Sequence, residues 1–333
     1  MIRKVLLGFA VVLVIVVALY VRLHHTTPPM EIAYSGNRLV TVYSTSAQVR
    51  EPVTTISFGE RLDVLQRFQD QVKVRTPDGV VGWVAEHDLL SADMWQRLKD
   101  LETKAEAVTV EARGHTRVLS NLHFGPGRDT PRIRQMNKDV PLELLTREPA
   151  EIKPALAENA EPESSAPGPE GKKEDWWFVR AQTADQGTLA GWVLGRFISL
   201  DVPQPLPDYA SSAGMRIVAW TELNRVTAGS GKPIPQYLLV GTHGPEGQPC
   251  DFTMMRVYTW GKQKERYETA FVESDMCGKL PIERTHAGAE GDVTFSFQDL
   301  TGGAAERRIY VMHQTIVRRV REPGAPEPRK HRR

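Results

Sequence analysis

Hydrophobic and polar positions along the chain change rhythm several times, and each change marks a different kind of element. The first stretch has no rhythm at all. Val5 to Val21 is unbroken apolar sequence, with Arg3 and Lys4 before it and Arg22 after it. With Leu23 counted, it approaches the ~20 residues that a helix needs to span ~30 Å of hydrocarbon. A run with no polar face does not suit a soluble helix. Ala18, Leu19, Tyr20 and Val21 offer no small-x-small cleavage site, and no cysteine follows for lipid attachment. The expectation is an uncleaved transmembrane anchor over residues 1–25, with the positive flank inside and the remainder exported. Residues 26–36, with Pro28 and Pro29, read as a stiff linker.

A period of two follows. Val72-Lys73-Val74-Arg75, a turn, and Asp78-Gly79-Val80-Val81-Gly82-Trp83-Val84 predict a hairpin whose Gly-Trp lies where backbones approach closely. The pattern returns as Trp176-Trp177-Phe178-Val179-Arg180-Ala181 and Gly187-Thr188-Leu189-Ala190-Gly191-Trp192-Val193. An internal repeat predicts two related small β units, over residues 37–91 and 107–201. Between them Met94, Leu98, Leu101 and Ala105 form one helical stripe behind a capping Ser91, with Trp95 beside it. That predicts a helix over residues 92–106 packed between the units, too short for a dimer seam of its own. The second unit is interrupted by Pro149, Pro154, Pro162, Pro167 and Pro169 among Ala, Ser and Glu. Such composition buries too little to offset its ordering entropy, so residues 148–175 are expected to form a disordered insertion.

The first unit resembles a bacterial SH3-like (SH3b) domain. Leu39-Val40-Thr41-Val42-Tyr43 matches the family's opening strand, Phe58-Gly59-Glu60-Arg61-Leu62-Asp63-Val64-Leu65 its Gly-hydrophobic strand, and Gly82-Trp83-Val84 its close. In the second unit Asn121-Leu122-His123-Phe124-Gly125-Pro126-Gly127 is similar to the family's Asn-hydrophobic-Arg-x-x-Pro-x loop, with His123 where Arg is common. The resemblance covers less than half of the chain. It implies five-stranded barrels with a binding or spacing role, usually in the non-catalytic part of an envelope protein.

A proline-rich boundary, Asp201 to Pro207, opens a third region over residues 208–320. Arg216 to Leu223, Tyr237 to Thr242, Phe252 to Trp260, Tyr267 to Val272, Asp292 to Gln298 and Arg308 to Val320 read as strands of an antiparallel sheet or sandwich. Within it Phe252 to Ile282 resembles a segment of envelope proteins that also carry SH3-like domains. Cys250 and Cys277 lie near the ends of strands that would pair. If exported they should form a disulfide, worth roughly 3 to 4 kcal/mol in the chain-entropy model; if cytoplasmic, both should be thiols. Residues 321–333 form a basic tail that is either a solvated end or an electrostatic contact with anionic polymer or headgroups.

Composition narrows the function. A net charge of +1 over 333 residues argues against a nucleic-acid binder. A cell-wall cysteine peptidase needs its thiol at a helix start, which Cys250-Asp251-Phe252 and Cys277-Gly278-Lys279-Leu280-Pro281 do not offer. His243, His286 and His313 lack zinc-ligand spacing, and no phosphate loop, dinucleotide fingerprint or Gly-x-Ser-x-Gly elbow is present. The fold class expected is mainly β: two SH3-like barrels joined by a helix, a C-terminal antiparallel β domain and a transmembrane helix. The expected function is non-enzymatic, without metal or small-molecule cofactor. An inner-membrane protein would present its barrels to peptidoglycan peptide or an envelope protein. Trp176, Trp177, Trp83 and Trp192 are the candidate ligand-binding side chains, although Trp83 and Trp192 suit core indoles better. A wall-modifying hydrolase with its site in the third region, or a structural subunit of an envelope assembly, are the alternatives.

Overall fold

The computed structural model describes residues 28–152, 171–183, 187–287 and 292–320. The apolar N-terminal run, most of the Pro-rich insertion and the basic tail lie outside them. Among the described residues no helix is long and apolar enough to cross a membrane. The chain divides into two compact units between Trp95 and Gln96.

Unit 1 holds β1 (Glu31–Ser35), β2 (Leu39–Tyr43), β3 (Pro52–Ser57), β4 (Arg61–Phe68), β5 (Gln71–Arg75), β6 (Val81–Ala85) and β7 (Leu89–Ser91). They form one sheet in the order β3-β2-β6-β5-β4-β1-β7, with antiparallel pairing throughout. Period-two burial of Val40, Val42, Leu62, Val64, Val72, Val74 and Val84 makes its core. Helix α1 (Ala92–Glu106) follows, over the span that the apolar stripe predicts, with the Ser91 hydroxyl accepting from Met94 N–H at 3.2 Å. Trp95 at its start stacks on Tyr34, ring centroids 4.8 Å apart, and meets Phe58 edge-on at 5.6 Å. Residues 26–36 are therefore not all linker: β1 is a full member of the sheet, paired with β4 and β7.

Unit 2 repeats the plan. Its strands β8 (Ala112–Thr116), β9 (Ser120–His123), β10 (Arg132–Met136), β11 (Pro141–Glu151), β12 (Lys173–Thr183), β13 (Gly187–Leu194) and β14 (Ile198–Leu200) take the order β10-β9-β13-β12-β11-β8-β14. Each strand occupies the place of the one seven earlier, so the duplication read from Gly-Trp extends to the whole topology. The glycines show why the motif exists. A Cβ on Gly82 would lie 2.5 Å from Val42 Cγ1, and one on Gly191 would lie 2.7 Å from Leu122 Cγ. Each repeat has seven strands rather than the five that the resemblance implies, because a leading strand pairs with the short closing one. The insertion is also shorter than residues 148–175. Glu148 to Glu151 pair with Trp176 to Lys173, so the ladder continues into both ends of it.

The third region begins with α2 (Leu206–Ser212), a helix that the proline-rich boundary conceals. Leu206 and Ala210 pack on Met215, Tyr237, Leu239, Met254 and Tyr258. Two four-stranded antiparallel sheets follow: β15 (Arg216–Thr227), β16 (Pro233–Thr242), β17 (Met254–Gly261) and β18 (Arg266–Glu273); then β19 (Gly278–Ala287), β20 (Asp292–Asp299), β21 (Glu306–His313) and β22 (Ile316–Val320). Two expectations change here. The run Arg308 to Val320 is a hairpin, turning where Gln314 takes φ 53°. Strand β19 is absent from the strands read in the sequence, and register shifts between Lys279 and Glu283 accommodate its proline.

Candidate binding cleft

The second repeat and the third region share a buried seam within unit 2. Arg147 on β11 lies opposite Trp177 of β12. Its guanidinium donates to Asp175 Oδ1 at 2.6 Å and Asp251 Oδ1 at 2.9 Å, and to the carbonyls of Gln248 at 2.8 Å and Cys250 at 3.2 Å. Asp175 also accepts Gly247 N–H at 2.7 Å, while Asp251 accepts Lys279 Nζ at 3.1 Å and Leu280 N–H at 2.9 Å. The three side chains are 2%, 3% and 4% exposed. Buried ions repay their desolvation only when their remaining donors and acceptors are used, and here they are. Next to them Cys250 and Cys277 form a disulfide with Cα atoms 4.8 Å apart, joining the loop before β17 to the start of β19. Reduction should lower the stability of unit 2 by about 3 kcal/mol, read as a lower thermal midpoint with reductant; an unchanged midpoint refutes this.

Glu111 crosses the same seam. Its Oε2 accepts Ile282 N–H at 3.1 Å, and its Oε1 is buried without a partner among the described residues. Burial pushes its carboxyl up to about 7 against the opposing pull of that hydrogen bond and of Arg284.

Beside this network opens a cleft of about 270 Å³. Leu144, Trp177, Ile198, Leu200, Ile217 and Val218 supply apolar wall, while Arg117, Arg196, Arg216, Asp175 and Glu246 supply charge. The charges are unevenly spent. Arg147 is fully engaged, as above. Arg196 donates to Glu174 at 2.7 Å, and Glu174 also accepts from Arg128 Nε at 2.8 Å. Arg216 stands 3.5 Å from Asp175, whose other oxygen already has two closer donors, and its side chain keeps 43% exposure. Arg117 donates at 2.6 Å to the carbonyl of Arg196 and has no carboxylate partner among the described residues. The cleft therefore presents two guanidinium groups with donors to spare over a wall that includes an indole.

The four tryptophans proposed for binding part company. Trp177, 6% exposed, lines the cleft. Trp176 and Trp192, 1% and 5% exposed, lie in the core of the second repeat with Phe178, Leu194 and Phe197. Trp83 is half-buried in unit 1, with Lys73 Nζ 5.9 Å from its ring centroid. Simple alternation would leave one of Trp176 and Trp177 facing solvent. Both are buried: Trp176 lies in the repeat's core with Phe178, and Trp177 faces the seam, where it shares the cleft with Arg216, Ile217 and Val218 of β15. His123, cross-strand from Trp192 where Tyr43 faces Trp83, is a core group. Its Nδ1–H donates to the Thr130 carbonyl at 2.9 Å, and burial holds its pKa below the ordinary value.

His243 bonds the Gly214 carbonyl at 2.7 Å, His313 bonds Asp292 at 2.6 Å, and His286 lies on β19. Among the described residues no group of three or more His, Cys, Asp or Glu side chains could hold a metal ion. The exposed His115–Asp201 pair, at 2.8 Å, has no hydroxyl or thiol bonded to its second ring nitrogen among the described residues. The arginines of the cleft were not singled out from sequence. They are scattered from position 117 to position 216, and no local spacing marks them.

Neither a protein-family model nor a curated protein matches the chain. Among solved structures it is similar to an NlpC/P60 family protein from Bacillus cereus, with 14% identity and TM-score 0.22 over 59% of this chain and 65% of that one. NlpC2 from Trichomonas vaginalis has 12% identity and TM-score 0.18, over 91% and 96% of the two chains. NlpC1 from the same organism has 10% identity and TM-score 0.17, over 83% and 87%. The chain thus spans just under two thirds of the Bacillus protein, and at these TM-scores the likeness carries no argument about activity.

Proposed function

We propose that this chain is a non-catalytic binding or scaffold protein of a bacterial cell envelope. Its apolar run anchors it in the inner membrane, and its two SH3-like repeats and β-rich region face wall peptide or an envelope protein outside the cytoplasm. The observation that carries the reading is the cleft, where guanidinium donors are left over beside apolar wall and no nucleophile is paired with a base. Both cysteines are joined to each other, which supports an oxidising compartment and leaves neither as a thiolate nucleophile. The histidines within described hydrogen bonds serve backbone carbonyls or single carboxylates, and the one hydroxyl beside them, that of Thr130 at 3.4 Å from His123 Nδ1, lies closer to the Gly125 and Gly127 carbonyls.

The test is to incubate the immobilised full chain with purified cell-wall peptide fragments and analyse both bead and supernatant by mass spectrometry. Fragments held at full length are the expected result. Shortened fragments would overturn the non-catalytic reading, and complete recovery in the supernatant would overturn the wall-peptide ligand.

A further inference from the structure

We infer that the seam cleft is a site for the C-terminal carboxylate of a short peptide whose last side chain is apolar. The inference rests on the binding reading above and names the ligand class of that same site. Arg117 and Arg216 are the guanidinium groups of the cleft least committed to a carboxylate, since Arg117 bonds a carbonyl and Arg216 meets Asp175 only at 3.5 Å, whereas Arg196 pairs with Glu174 at 2.7 Å. A guanidinium matches a carboxylate through two parallel N–H donors, which gives direction as well as attraction. A carboxylate entering here meets no competing acid at Arg117 and only the 3.5 Å contact of Asp175 at Arg216.

The apolar part of the lining fixes what the rest of the ligand is. Trp177, Ile217 and Val218 form a surface that gains nothing from a hydrated polar chain but gains from an apolar side chain. At about 270 Å³ the cleft falls just below the ~300 Å³ at which drug-sized sites begin. That suits a chain terminus. Asp175 and Glu246 on the same lining argue against a dense polyanion, since each added negative charge on the ligand meets them as a repulsion.

The site is also pre-formed. Asp175 is held by Arg147 and by Gly247 N–H, and the Arg196 carbonyl that orients Arg117 belongs to the turn between β13 and β14. Binding therefore orders only two exposed arginine side chains, which keeps the entropic cost low.

The experiment is calorimetric titration of the full 333-residue chain with N-acetyl-alanyl-leucine, its C-terminal amide and inorganic phosphate. The free acid should bind, the amide should bind at least tenfold more weakly, and phosphate more weakly still. Arg117→Ala and Arg216→Ala should each weaken the acid about tenfold while leaving the melting temperature unchanged, because both side chains are exposed. Arg216→Lys should recover part of the loss. Equal affinity for acid and amide, tighter binding of phosphate, no binding of the acid, or arginine variants that bind it normally would each overturn the assignment. Failure here with wall peptide still retained at full length would remove the site and spare the binding role. Shortened wall peptide would remove the role itself, whatever the dipeptide does.

Discussion

Arg147→Met should destabilise unit 2 by about 4 kcal/mol, the largest effect expected of any single substitution in the chain. The side chain is 2% exposed and its loss would leave Asp175 and Asp251 buried without their principal cation. It would also strand the carbonyls of Gln248 and Cys250, two acceptors that fix the disulfide loop against β11. Removing one partner of a buried pair costs far more than the pair contributes, because the remaining charge keeps its desolvation penalty. The triple variant with Asp175→Asn and Asp251→Asn should therefore recover a large part of the loss. Urea unfolding of the three proteins checks this through the shift in midpoint at unchanged slope. A single variant within 1 kcal/mol of the parent, or a triple variant less stable than the single, would show that the network does not hold the seam.

That network marks the boundary of what the sequence could reveal. Period-two alternation and Gly-Trp identified the repeat, because the physical demand they encode is local: a strand must cross its neighbour within van der Waals distance at Gly82 and again at Gly191. The stripe Met94, Leu98, Leu101 and Ala105 likewise located α1, since a helix advertises its buried face every three or four residues. Cys250 and Cys277 could be paired because only two cysteines exist to pair. Arg147, Asp175 and Asp251 offered no such handle. They come together across separations of 28 and 104 residues, and nothing near any of them in sequence implies the others.

The places where sequence reading went astray share a cause. The uninterrupted burial of Glu174 to Val179 breaks alternation, since a second layer covers the face that a lone repeat would leave wet. The same covering leaves neither Trp176 nor Trp177 as an exposed platform and makes Trp177 a cleft wall. Strand β1 was hidden because Pro28-Pro29 suggested a spacer over its span, and β19 because Gly278 and Pro281 interrupt the run of β-forming residues. In each case a tertiary partner overruled the local signal. Repeat one and repeat two thus share a topology and differ in environment. A core group in the second, His123, stands where the first places Tyr43, with Arg50 over its ring at 3.9 Å.

Stability of unit 2 should fall as the pH rises through the range from about 4.5 to about 7, and Glu111 should be the cause. The carboxyl starts from 4.5 in the unfolded chain and is pushed up to about 7 by burial. The folded state therefore holds its proton more tightly than the unfolded state does. As pH climbs past the unfolded value, the unfolded chain ionises first and gains free energy that the folded chain does not; the loss levels off above the folded value. Between pH 5 and pH 8 the difference amounts to roughly 2 to 3 kcal/mol, at 1.36 kcal/mol per unit of displacement. Asp299 works in the opposite sense but lower on the scale. Its pKa lies below 3.8, held down by Thr301, Cys277 N–H and Arg308, so its contribution is lost only as pH falls through that acid range. Around Glu111 the facing charges are Arg284, which favours ionisation, and Asp251, which opposes it. Glu111→Gln keeps an oxygen for Ile282 N–H and removes the proton equilibrium. Chemical denaturation at several pH values should then show parent and variant converging at pH 5 and separating by roughly 2 to 3 kcal/mol at pH 8, the variant more stable. Parallel pH profiles would mean that the Glu111 carboxyl reaches water in solution, and the seam would then have to be held by Arg147 and the disulfide alone.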